Sequence, residues 1–106
     1  MKKEEQLNKL QERAREIYSY EEKMRFVNEK ELSKYLAVKR LINFKVQNLI
    51  EENQDESNLN DELISLQNKL FSSMQYYKDN SLFCLEEFCG VALQELNYIV
   101  SILKFD

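Results

Sequence analysis

Across 106 residues there is no proline, and the one glycine, Gly90, lies inside an apolar stretch rather than between stretches. These are the two residues that interrupt helix most effectively. Proline removes a backbone N–H and clashes with the preceding turn, and glycine in a helix interior costs about 1 kcal/mol relative to alanine. A chain so poor in both has little to stop helix along its length. Its helix ends must be read from the phase of the apolar residues and from short polar side chains able to cap.

Leu7, Leu10, Ala14 and Ile17 follow one another at helical spacing, and Met24 continues the phase after Glu21 fills the intervening heptad position. Ser19-x-x-Glu22 and Asn28-x-x-Glu31 both match the capping box, in which a side-chain oxygen takes up a free N–H of a first helical turn. The stripe changes phase between Val27 and Leu32. Either the first helix ends close to Ser19 or Asn28, or a long N-terminal helical arm is kinked within residues 19–28. The stripe Leu32, Tyr35, Val38, Leu41, Ile42, Val46, Leu49 and Ile50 then predicts helix as far as about Asn53.

Residues 51–58 read as an acidic polar loop, with Asn58 as N-cap of the next helix and Asp61 near its positive end. Leu59, Leu63, Leu66, Leu70, Met74 and Tyr77 mark that helix. The run Lys78-Asp79-Asn80-Ser81 predicts a turn at 78–81, with Asp79 or Ser81 capping a last helix from Leu82 to about Lys104. The expected fold is all-α. It is a single helical domain over 1–106, an antiparallel helical bundle or helical hairpin of three to four helices.

The last helix is the most informative. Leu82, Leu85, Cys89, Ala92, Leu96, Ile99 and Leu103 repeat at 3,4 spacing, a coiled-coil seam. Phe83, Phe88, Val91, Leu93, Val100 and Ile102 make the flanks apolar too, and Glu87, Gln94 and Ser101 form the polar strip. A helix apolar on most sides is buried on most sides. Either it is the centre of the bundle or its second face meets another subunit. The small residues Cys89, Gly90 and Ala92 then mark a close approach of another backbone, so that Gly90→Leu is expected to destabilise the fold or the dimer. The seam residues, with Gly90, are the candidate packing or homodimer interface.

Histidine is absent, which excludes Ser-His and Cys-His catalysis and the Glu-x-x-His di-iron pattern, and one glycine excludes phosphate-binding glycine loops. Cys84 and Cys89, five apart, point about 140° away from each other on a helix, which excludes a disulfide between them. A C-x4-C pair is too few ligands for a structural zinc site. No catalytic, cofactor-binding or metal-ligating residue is expected. The helical chorismate mutases are the one small enzyme class compatible with this composition. Arg13, Arg25, Lys39 and Arg40 are the matching cations, but their spacing does not reproduce that family's pattern.

Net charge is −4. Residues 1–50 carry twelve basic and eight acidic side chains, and residues 51–106 carry three and eleven. Basic residues interleave with glutamate throughout, unlike the uncompensated cations of a nucleic-acid surface. The N-terminus lacks the apolar core of a signal peptide, and no uncharged run exceeds eight residues, against roughly 20 for a membrane span. A cytoplasmic protein with free thiols is expected, and the Asn-, Lys- and Ile-rich composition points to an AT-rich bacterial or phage genome.

The order of segments resembles a known family. A basic first helix "ERAREIYSYEEKMRFVNEKEL", an arm ending "LINFKVQNLIEE", an acidic loop, "ELISLQNKLFSSM" and a last helix "LEEFCGVALQELNYIVSIL" are similar to the YlbF/YmcA regulators of Gram-positive bacteria over residues 10–103. The resemblance implies a small helical regulator that acts by binding partners. The proline often found before that family's last helix is replaced here by Asp79-Asn80-Ser81, and its cysteine-bearing tail is missing. The function expected is a non-enzymatic protein–protein interaction module, a regulator or adaptor. The alternative is a small phage or mobile-element inhibitor of a host defence nuclease.

Overall fold

A computed structural model describes residues 2–53 and 55–103. The described residues form four helices and no strand: α1 (Lys3–Met24), α2 (Glu29–Glu52), α3 (Glu56–Asp79) and α4 (Phe83–Leu103). The all-α bundle read from the periodicity is the fold observed; the expected end of the last helix at Lys104 lies outside the described residues.

Each connection differs in detail from its expected form. The first helix ends at Met24, whose carbonyl accepts the N–H groups of Val27 and Asn28 at 3.0 and 3.4 Å. Asn28 sits at the N-cap of α2 but makes no side-chain cap bond, and Ser19 stays inside α1. The N-terminal arm is therefore two helices, not one kinked helix. The second connection is only 53–55, shorter than the acidic loop expected at 51–58. Asp55, not Asn58, caps α3, its carboxylate accepting the Ser57 N–H at 3.0 Å. An aspartate offers both the acceptor and the negative charge that a helix start favours, so α3 begins before its first apolar residue.

The third connection falls at 80–82 rather than 78–81. The Ser81 N–H donates to Lys78 O at 3.1 Å and the Leu82 N–H to Tyr77 O at 2.8 Å. This crossed pair is the Schellman closure of a helix C-terminus. It requires a left-handed residue, and Ser81 adopts φ 58 where glycine is usual. Ser81 thus ends α3 instead of capping α4. Asp79 does not cap α4 either; its carboxylate accepts from Gln75 Nε2 at 3.1 Å.

Sequence neighbours pack antiparallel, α1 on α2 and α3 on α4, while α2 and α4 lie side by side and parallel at the centre. Among the described residues α1 and α3 share no contact. The result is a bundle flattened into a rhombus, 38 × 35 × 19 Å, with a radius of gyration of 14.6 Å. A compact domain of this length has about 13 Å, so the excess reflects the flattening. The parallel central pair directs the negative C-terminal ends of α2 and α4 the same way, and neither has a basic residue in its last turn. The antiparallel α1 supplies both: Lys3 Nζ donates to Glu51 O at 2.9 Å and Lys9 Nζ to Ile102 O at 3.4 Å.

The main core cluster lies toward that end of the molecule, and Ile17 and Leu36 are buried outside it. Leu10, Val46, Ile50, Leu59, Leu63, Leu96, Ile99 and Leu103 form one cluster. No residue in 18–35 or 67–91 is buried. Those two segments hold the α1–α2 and α3–α4 turns, which lie together at the opposite end because α2 and α4 run parallel. The molecule thus has a closed end, which holds the main core cluster, and an open end, where no side chain is buried. Within α2, Leu36 is buried whereas Leu41, expected on the inner face, is exposed. Leu41 lies about 200° round the helix from the buried Asn43.

Candidate interaction surface at the open end

The seam expected along the whole of α4 divides at its middle. Ala92, Leu96, Ile99 and Leu103 belong to the monomer core, while Leu82 and Leu85 are each 44% exposed and Cys89 and Gly90 are half-buried. The lower half of α4 is enclosed by the other three helices; along its upper half the hairpins still touch, as at Tyr35 and Phe88, but bury no side chain. The close contact expected around Cys89, Gly90 and Ala92 is not made at Gly90 within the chain. A Cβ built on Gly90 meets only Met74 Sδ, at 3.8 Å, an ordinary contact with a flexible side chain. No backbone approaches there.

Instead Gly90 forms part of the floor of an open groove of about 620 Å³. Phe83, Glu86, Glu87 and Gly90 supply one face of α4, Met74 of α3 stands on one side and Tyr35 of α2 on the other. Helical spacing puts these α4 residues in one line. Tyr35 is held by its ring against Phe88, centroids 5.6 Å apart, and by the Glu87 carboxylate. Hydrogen bonding to that carboxylate, with burial and the charges of Glu87 and Glu31, lifts the Tyr35 hydroxyl to about 12. The groove is therefore apolar along its floor and negative at its edge, with no basic residue in its lining.

More apolar surface surrounds it. Phe83 is 67% exposed, Phe26 and Val27 in the α1–α2 turn are 91% and 73% exposed, and Tyr76 stands out from α3. Single exposed apolar residues are ordinary, whereas several at one end of a small domain, beside a groove, mark a contact surface.

The polar candidates do not assemble into a reaction centre. Arg13 is bound by the buried Glu95, with Nε and Nη2 each 2.9 Å from a carboxylate oxygen, and stacks over Tyr98 at 4.3 Å. The Glu95 hydrogen bonds raise the guanidinium pKa further above its ordinary value. Arg13 and Lys39 line one cavity of about 330 Å³, whereas Arg25 and Arg40 line another of about 600 Å³ with Arg15. Arg40 is also paired with Glu21 at 3.4 Å. The four cations that a dicarboxylate would need in one place are thus split between two clefts. Cys84 is exposed and Cys89 has its thiol pKa pushed up by burial, and both are free. Among the described residues no three His, Cys, Asp or Glu side chains are grouped to hold a metal, and no helix is long and apolar enough to cross a membrane.

Glu95 was not distinguishable as a site residue by composition, but a signal was present. Arg13 interrupts the stripe Leu10–Ile17 and Glu95 the stripe Ala92–Ile99, with opposite charges. No protein-family model, curated protein or solved structure matches the chain, so its open end is described by its own geometry alone.

Proposed function

We propose that the chain is a non-enzymatic protein–protein interaction module, a regulator or adaptor that binds a protein partner through the helical surfaces of its open end and works in the cytoplasm as a homodimer. The observation that carries this reading is the one-sided core. Every buried side chain lies outside 18–35 and 67–91, while Phe26, Leu82, Phe83 and Leu85 stand exposed within those segments. A protein partner would bury the exposed apolar rings and methyls at this end, the kind of core that gives interfaces their affinity. The resemblance of residues 10–103 to partner-binding regulators points to the same class of work.

Affinity capture with a quantitative comparison of variants tests the reading. Phe83→Asp with Leu85→Asp at the open end is expected to abolish retention of any specific partner. Phe44→Asp, on an exposed face of α2 away from the groove, is expected to leave it unchanged. Equal retention by all three proteins, or turnover of a small metabolite by the pure chain, would overturn it.

A further inference from the structure

We infer that the groove on α4 receives the α1–α2 turn of a second copy of this chain, so that two copies join reciprocally at their open ends. This names one partner for the surface proposed above and rests on that reading. Three observations converge on it.

The first is that both halves of the contact lie at the same end of one molecule. Phe26, the most exposed apolar side chain at 91%, projects from the α1–α2 turn. The groove begins at Tyr35, roughly 9 Å further along α2 from Glu29 at a rise of 1.5 Å per residue. A two-fold axis near this end places each turn against the other copy's groove and closes the assembly at two, because the same patch is used twice.

The second is charge. Glu86 and Glu87 border the groove, with no cation in its lining. The turn itself, residues 23–28, carries Lys23 and Arg25 and no acid, whereas the helix ends on either side of it are mixed, with Lys30 and Lys34 against Glu21, Glu22, Glu29 and Glu31. The imbalance is larger at the scale of the hairpins. Residues 1–52, which hold α1 and α2, carry twelve basic and ten acidic side chains, net +2, and residues 53–106, which hold α3 and α4, carry three and nine, net −6. A basic hairpin tip facing an acidic hairpin is the attractive arrangement, and it selects this pairing over groove against groove.

The third is Gly90. Its own chain does not require a glycine, since a Cβ there meets nothing nearer than 3.8 Å. A visiting turn that packs against the α4 backbone does require one, because a side chain at 90 would fill the floor on which it rests.

Sedimentation at tens of micromolar tests the arrangement with two charge-reversed proteins. One carries Glu86→Lys and Glu87→Lys, the other Lys23→Glu and Arg25→Glu. Circular dichroism verifies that each keeps the wild-type helix content; if the first pair lowers it, Glu87→Lys alone takes its place. Wild type is expected to sediment as a dimer and each variant alone as a monomer, since turn and groove then repel. An equimolar mixture is expected to regain the dimer, because each groove again meets a turn of opposite sign. A wild-type monomer, variants that remain dimeric, or a mixture that stays monomeric would overturn the inference. A wild-type monomer would also remove the homodimer from the proposed function, whereas binding of a partner other than the chain itself is read by the capture comparison alone, so failure of the self-contact and failure of the partner reading are separable.

Discussion

The pair Arg13–Glu95 shows how a single residue's surroundings decide its energetic weight. An exposed ion pair contributes about 0–1 kcal/mol. Here the Glu95 side chain is only 1% exposed, and its two oxygens are bound by the guanidinium. Arg13→Ala would leave a buried carboxylate without its partner, a change that costs about 3–5 kcal/mol. Replacing both, as Arg13→Met with Glu95→Leu, removes the charge along with the partner. That double variant is expected to fall within about 1 kcal/mol of wild type or above it. Urea unfolding of Arg13→Met, Glu95→Leu and the double gives the coupling directly. A small loss for Arg13→Ala would mean that water reaches Glu95. Sequence alone exposes the opposite charges inside two apolar stripes but not that the stripes face each other. That depends on α1 lying against α4, a contact between segments some eighty residues apart.

At the scale of an element, α4 is one helix with two environments. The heptad reading identified its inner line correctly from Ala92 to Leu103, because helical period is a local property and the partners were present to cover it. It could not reveal that Leu82, Leu85 and Cys89 lack cover. That is set by how well α3 and α1 cover it, and both cover it thinly: α1 has Glu21 after Ile17, and in α3 the continuing stripe residues Leu70, Met74 and Tyr77 are themselves only half-buried. Boundaries were less legible than the helices themselves, as at Asp55 and Ser81, where a one-residue cap or a left-handed serine moves the end by a few positions. Gly90 was read as a point of close packing, and in the isolated chain it is not one. Gly90→Ala is therefore expected to raise monomer stability by about 0.8–1 kcal/mol, the full helix-propensity gain, since the added methyl meets Met74 at an ordinary distance. Thermal unfolding measured at a concentration below dimerisation checks it; a lowered midpoint would restore the tight contact within the chain.

For the whole molecule, the one-sided core predicts one-sided protection. Backbone amides in 59–66 and 92–103 are expected to exchange only through global unfolding. Those in 18–35 and 70–88 should exchange much faster through local opening, and most of all across the turn at 80–82. Hydrogen-exchange mass spectrometry resolves these segments, and equal protection at both ends would contradict a core gathered toward one of them. In a dimer joined at the open ends, the gain in protection on raising concentration should fall in the fast segments and leave the closed end unchanged.

The central placement of α4 also bears on the order in which the chain is made. Synthesis proceeds from the N-terminus, and domains begin to fold as they emerge. The α1–α2 hairpin is complete once Glu52 has appeared, yet Leu10, Val46 and Ile50 belong to a cluster whose other members, Leu96, Ile99 and Leu103, are added last. From the emergence of Glu52 until that of Leu103, the hairpin waits with its inner face wet, and of the four described helices the one that completes the core is the last to emerge.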